Sequence, residues 1–191
     1  MPAQIINTTT LYDGWIKVLR VRLRLNPGEE VEREVEDHGR GVAVLPYDPV
    51  RRVALLVRLP RAPVLLAGGE AELLEVPAGY VEESEPAETA RRELYEETGL
   101  KVTRVDHVGQ VWISPGISTD RLDLYLAPYS AGDRVSAGGG AEGEQEKISV
   151  VEMPLAELWA SALSKEIADM KTLTLVMMLH AQKPELFAVA G

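Results

Sequence analysis

The segment Pro86–Gly99, PAETARRELYEETG, constrains this chain more than any other, because its two ends and its apolar stripe all specify one helix. Ser84 and Glu85 offer a cap and a negative charge ahead of it, Pro86 suits a first turn where a missing N–H costs nothing, and Gly99 stands where a left-handed terminator belongs. The expected helix runs over residues 86–98. Ala87, Ala90 and Leu94 recur at offsets of three and four and form its buried stripe. Glu93, Glu96 and Glu97 share an adjacent face, so three carboxylates gather at one rim.

Strand patterns flank this helix. The alternation from Trp15 to Arg24, the Asn26-Pro27-Gly28 turn and the arm Val31 to Val35 predict an N-terminal antiparallel hairpin over residues 1–36. The runs GVAVLPYDP and RRVALLVRLPR, parted by an Asp48-Pro49 turn, suit paired strands of a central sheet. A loop with Pro63, Gly68 and Gly69 follows, and ELLEVPAGYVEES reads as a further strand and turn. Strands are expected over 102–113 and 121–129, with Trp112 in the sheet core. After the glycine-rich SAGGGAEGEQEK and the apolar ISVVEMP come two amphipathic helices near 155–164 and 169–182. The class is α/β with a mixed central sheet, residues 37–191 forming the main domain.

Composition removes several functions. With 20 Lys+Arg against 30 Asp+Glu in 191 residues, the net charge of −10 repels polyanions, so no nucleic-acid partner is expected. No cysteine is present, which excludes disulfides, a thiol nucleophile and Cys-ligated zinc, and a cytoplasmic location is expected. The start MPAQIINTTT has neither a basic end nor an apolar core. No apolar run approaches the roughly 18 residues that span a bilayer, and no membrane partner is expected. His38, His107 and His180 show no metal spacing.

Like charges three and four residues apart repel by a few tenths of a kcal/mol per pair, so Glu93, Glu96 and Glu97 invite a compensating cation. Mg²⁺, a hard ion held by carboxylates, waters and substrate phosphates, fits that demand, with Mn²⁺ as a substitute. An acidic helix face taken alone is more often simply solvated. The residues around it decide otherwise.

The stretch GYVEESEPAETARRELYEETGL, residues 79–100, resembles the Nudix box of the Nudix hydrolases. Gly79, Glu85, Arg92, Glu93, Leu94, Glu96, Glu97, Gly99 and Leu100 match its fixed positions. Each invariant residue arises by chance about 5–10% of the time, so the seven invariant ones together occur on the order of once in 10⁸ starts. In one respect the stretch departs from the pattern: six residues, Pro86 to Arg91, separate Glu85 from Arg92 where the family usually has seven. SPGISTD at 114–120, the glycines at 138–140 and KEIADMKTLTLVMMLHA resemble the nucleotide-sugar branch, and within it the GDP-mannose hydrolases more than the ADP-ribose pyrophosphatases.

The resemblance implies an α/β/α Nudix sandwich and a set of roles. Glu93 and Glu97 would ligate metal with the carbonyl of Ala78 and with Glu146, while Glu96 would be a further ligand or would take part in catalysis. Arg92 would be a buried arginine holding the glutamates, and Glu85 would orient them. Asp120 and Glu144 are alternative general bases; a different register of the acidic loop would bring Glu142 forward, and that loop otherwise reads as a mobile linker. Arg33, Glu34, Arg61 and Lys171 match positions that contact nucleotide or phosphate, and Trp15 would stack on a base from a neighbouring subunit. Each could also be an ordinary surface or packing residue.

The expected activity is therefore Mg²⁺-dependent hydrolysis of the diphosphate bridge of a nucleoside diphosphate sugar, GDP-mannose giving GMP and mannose 1-phosphate. ADP-ribose, giving AMP and ribose 5-phosphate, is the alternative substrate, and a non-hydrolysing nucleotide-sugar sensor is the alternative class. A homodimer formed through the N-terminal region is expected.

Overall fold

A computed structural model describes residues 2–82, 85–141 and 147–188. Two compact units emerge, Met1–Arg40 with Val111–Leu122, and Gly41–Gln110 with Asp123–Gly191.

The first unit is built on a three-stranded antiparallel sheet, β1 (Gln4–Asp13), β2 (Lys17–Asn26) and β3 (Glu29–Asp37), in that order. The expected hairpin is β2–β3, turning at Gly28, whose φ of 81° suits a residue without a Cβ. Strand β1 adds to it. Its Thr-rich, weakly alternating sequence carries little strand signal, and every residue of it is exposed. The arms of the hairpin are laced by cross-strand ion pairs, Arg22 with Glu32 at 2.9 Å and Arg24 with Glu30 at 2.8 Å. The end of β3 holds the segment 114–120: Glu36 donates to the Ile117 carbonyl at 2.8 Å, Thr119 donates back to that of Glu36 at 2.9 Å, and the Thr119 hydroxyl reaches Asp37 at 2.7 Å.

The second unit carries the core. Strands β4 (Arg40–Asp48), β5 (Val53–Leu59), β6 (Leu73–Glu75), β7 (Ala78–Tyr80), β8 (Asp106–Trp112), β9 (Arg121–Pro128) and β10 (Ser149–Pro154) form a mixed sheet of order β10-β5-β4-β9-β8, with β6 beside β5 and β7 beside β4. The turn between β4 and β5 is made by Asp48, whose carboxylate accepts from the backbone N–H groups of Val50 (2.9 Å) and Arg51 (3.0 Å). ELLEVPAGYV, read as one strand, is two: Pro77 interrupts the ladder, and the halves pair with different neighbours.

Helix α1 (Ala62–Leu66) is one short turn that the flanking Pro and Gly residues hid. Helices α2 (Pro86–Thr98), α3 (Leu155–Ser164) and α4 (Met170–Gln182) lie where periodicity puts them. Both faces of the sheet are covered, since β4 is buried along almost its whole length. On one face Ala90 and Leu94 of α2 pack with Val42, Val44, Leu55, Tyr125 and Ala127. Leu155 and Leu158 of α3 and Leu175 and Leu179 of α4 are fully buried in turn.

Trp112 is not core. It sits on β8, an edge strand whose alternate side chains face outward, and is 54% exposed beneath the Arg121 guanidinium, 5.4 Å from its ring centre. Among the described residues no helix is long and apolar enough to cross a membrane.

Candidate active site

The rim carboxylates of α2 are less exposed than an amphipathic reading implies. Glu97 is 6% exposed, the Glu93 side chain is nearly as covered, and Glu96 is intermediate. Glu93 is covered by β7. A Cβ built on Gly79 would overlap the Glu93 carboxylate, so the absence of a side chain at 79 makes its seat. Gly79 is held by pairing with Val42, and Ala78 by pairing with Ala43, both fully buried residues of β4.

Arg92 donates to Glu93 at 2.8 Å and lies 3.7 Å from Glu96. It does contact the glutamates, but as a half-exposed side chain and not a buried one, because its helical position faces solvent. Glu85 is the N-cap residue by backbone: its carbonyl accepts from Glu88 (2.8 Å) and Thr89 (3.1 Å), and its side chain makes no cap bond.

The C-terminal end of α2 contains a feature that sequence reasoning missed. Gly138, Gly139 and Gly140 all have positive φ, at 73°, 113° and 100°. Gly139 donates to the Glu97 carbonyl at 2.9 Å and Gly140 to that of Glu96 at 3.0 Å. These glycines, at the start of the loop read as a linker, are stitched to the acidic helix; residues 142–146 of that loop lie outside the described residues. A run of glycine reports only conformational freedom, and nothing local names a partner some forty residues earlier.

A second cluster was half seen. Arg61, just past β5, grips Glu75 of β6 with two bonds of 2.9 Å, and Lys171 of α4 binds the same carboxylate and Asp169 as well. The Asp169 carboxylate also caps α4, accepting from Thr172 N–H at 2.9 Å. Burial by itself would push the Glu75 pKa up; Arg61 and Lys171 outweigh it and hold the group below the ordinary carboxylate range. The structure thus joins Arg61 and Lys171 through a buried carboxylate that the sequence reading did not single out.

The remaining candidates lie in the first unit. Trp15 is 86% exposed, its ring edge-on to His38 at 5.9 Å. The Arg33 guanidinium returns to the Glu32 carbonyl at 2.8 Å, and Glu34 lies 3.8 Å from Arg20. Asp120 is fixed by its backbone, which donates to the Ser118 hydroxyl at 3.0 Å and accepts from Ile113 at 3.1 Å. Glu142, Glu144 and Glu146 lie outside the described residues.

As a cation site, α2 offers a buried or nearly buried carboxylate pair four residues apart, one of them in a seat a Cβ would fill, against one half-exposed arginine. That donor set suits a hard divalent ion. Among the described residues no three His, Asp or Glu side chains already converge as a closed cage.

A mixed sheet covered on both faces, with a carboxylate-bearing helix tucked against a glycine strand, is the arrangement that the comparisons with known proteins place in a family. The family model for the NUDIX domain matches residues 37–174, and the chain belongs to the Nudix hydrolase family. It is 36% identical over 151 residues to the GDP-mannose pyrophosphatase of Citrobacter koseri and 37% identical over 150 residues to that of Salmonella arizonae, covering 78% of each chain in both cases. A crystal structure of an ADP compounds hydrolase superposes with a TM-score of 0.77 over 99% of this chain and 98% of that one, at 18% identity, and shares the fold.

Proposed function

We propose that this Nudix hydrolase cleaves the diphosphate bridge of a nucleoside diphosphate sugar in a Mg²⁺-dependent reaction, GDP-mannose giving GMP and mannose 1-phosphate. The observation that carries the metal-dependent chemistry is the seating of Glu93 against Gly79 beside the buried Glu97. The substrate is supported by the 36–37% identity to two GDP-mannose pyrophosphatases. Glu93, Glu97 and the Ala78 carbonyl would hold Mg²⁺ or Mn²⁺, with Glu146 joining them from the acidic loop. The ion supplies charge neutralisation on the diphosphate and a lowered pKa for the attacking water. Arg92 keeps Glu93 and Glu96 oriented, and Arg61 and Lys171, pinned by Glu75, offer cation edges to phosphate. Asp120 or Glu144 takes the proton of the water.

The reading includes a homodimer, in which the exposed N-terminal sheet with Trp15 completes the nucleotide pocket of a second copy, and a cytoplasmic location, which a chain without cysteine suits. The deciding experiment is a screen of GDP-mannose, GDP-glucose, ADP-ribose and dNTPs with Mg²⁺, products resolved by chromatography. GDP-mannose should give the highest kcat/KM and EDTA should abolish turnover. ADP-ribose as the best substrate would replace the substrate, and turnover in EDTA would remove the metal.

A further inference from the structure

One of the two metal-binding carboxylates proposed above, Glu97, occupies a weak place on its helix, with Glu96 beside it. Glu96 and Glu97 fall in the last turn of α2, which ends at Thr98, and the last four carbonyls of a helix have no partner within it. Such ends fray. Ligands on a fraying turn would lose part of their affinity to the cost of ordering it.

Here those carbonyls are accounted for almost one by one. The Tyr95 carbonyl takes the N–H of Gly99, the left-handed terminator. The Glu96 and Glu97 carbonyls take the N–H groups of Gly140 and Gly139. The chain just outside is sewn down as well: Val135 donates to the Gly99 carbonyl at 2.9 Å, and Lys101 to that of Asp133 at 2.8 Å. The two backbones approach so closely that a Cβ on Gly138 would overlap the Glu97 carbonyl, and one on Gly99 would overlap that of Ser136. Three consecutive positive φ angles aim successive N–H groups at adjacent carbonyls, which a residue with a side chain adopts only at a cost.

We propose that Gly138, Gly139 and Gly140 are positioning residues that clamp the last turn of α2, through the Glu96 and Glu97 carbonyls, so that the Glu97 carboxylate is presented to the metal already ordered. The proposal rests on the reading of this helix as the Mg²⁺ site. It assigns the triple glycine to metal affinity, and not to loop mobility or substrate contact.

The test is Mn²⁺ binding without substrate, followed by electron paramagnetic resonance, alongside thermal unfolding. Gly138→Ala adds both the backbone overlap and the φ strain. Gly140→Ala adds strain with only ordinary contact, 3.4 Å to Ile148 Cδ1, and serves should Gly138→Ala not fold. Gly68→Ala is the control, since Gly68 has a φ of 76° with nothing within 4 Å of its Cβ position and therefore bears strain alone. Wild type should bind Mn²⁺, Gly138→Ala about 10-fold or more weakly, and Gly140→Ala several-fold more weakly, while Gly68→Ala loses thermal stability but stays within about twofold in affinity. Unchanged affinity in both clamp variants, with wild-type binding intact, overturns the clamp alone. No Mn²⁺ binding by wild type overturns the metal reading and the clamp with it, and an equal loss in Gly68→Ala reduces the effect to general strain.

Discussion

The Glu93 carboxylate occupies the volume that a side chain at residue 79 would fill, so Gly79 and Glu93 are interdependent although they lie on a strand and a helix. Gly79→Ala should therefore act on chemistry more than on folding. The overlapping atoms are the free end of a Glu side chain, which can swing away cheaply, but the displaced carboxylate would no longer meet the ion proposed to bind it. We expect a change of only a few degrees in Tm with a loss of about 10²-fold in kcat/KM, as misplacement of a reacting group by about 1 Å can cause. Steady-state kinetics and thermal melts on the same preparation check it; a large Tm loss with normal kinetics would refute it.

Glu97→Gln tests the proposed metal site from its other proposed ligand. Glu97 is buried, so the amide must find partners where a carboxylate sat, and some stability should be lost. The rate should fall by at least about 10²-fold, since a neutral ligand weakens charge neutralisation worth several kcal/mol. Wild-type turnover by this variant contradicts its assignment as a ligand.

The buried Glu75 gives a pH prediction. Its folded pKa lies below its unfolded value, so its contribution to stability is fully present above the unfolded value, about 4.3, and is lost as pH falls through the lower folded value. Glu75→Gln should flatten the acid limb of a Tm-against-pH curve below about pH 4. At neutral pH it should cost on the order of 2–4 kcal/mol, the low end reflecting solvent on Arg61. An acid limb identical to wild type would show that the cluster is not coupled to folding.

Tyr129 makes the opposite case at high pH. Its hydroxyl is buried and has no hydrogen-bond partner among the described residues, and burial, aided by Glu152, pushes its pKa up to about 12. The sign is reversed: the neutral phenol is favoured by the fold, and its contribution is present below the unfolded value near 10 and lost as pH rises through about 12. Tyr129→Phe should remove one late-titrating phenol from the absorbance at 295 nm without loss of Tm, because it deletes an unsatisfied group. A marked fall in Tm would mean that the hydroxyl is held.

What was legible in the sequence was local. Pro86, Gly99 and the Ala90–Leu94 stripe write α2 into thirteen consecutive residues, and the structure ends the helix where they do. What was not legible was tertiary. Glu75 looks like an unremarkable strand residue until Arg61, fourteen positions away, and Lys171, ninety-six away, close on it. Trp112 has the composition of core, but a period of two cannot say that its strand lies at the sheet edge. Gly138 to Gly140 show their need for positive φ only beside the carbonyls of Glu96 and Glu97.

The last prediction concerns the base, for which Asp120 and Glu144 are the candidates. The structure describes Asp120 alone: its segment is hydrogen-bonded to β3 through Thr119, Asp37 and Glu36, so Asp120 follows directly on a tied-down residue. General-base assistance is worth about 10²–10⁴-fold in rate, whereas loss of a supporting residue shows mainly in Mg²⁺ or substrate affinity where chemistry limits turnover. With GDP-mannose as best substrate, Asp120→Asn should lower kcat by about 10²-fold or more and leave the Mg²⁺ concentration for half-activation within a few-fold. Glu144→Gln should then move the Mg²⁺ dependence more than kcat. If ADP-ribose is the better substrate, the order should invert. Thr119→Val separates chemistry from support: it removes the hydroxyl that reaches Asp37 but keeps the carboxylate, so it should lower kcat less than Asp120→Asn does. Near-normal kcat in both carboxylate variants would move the base elsewhere, with Glu96, Glu142 or Glu146 the next to substitute.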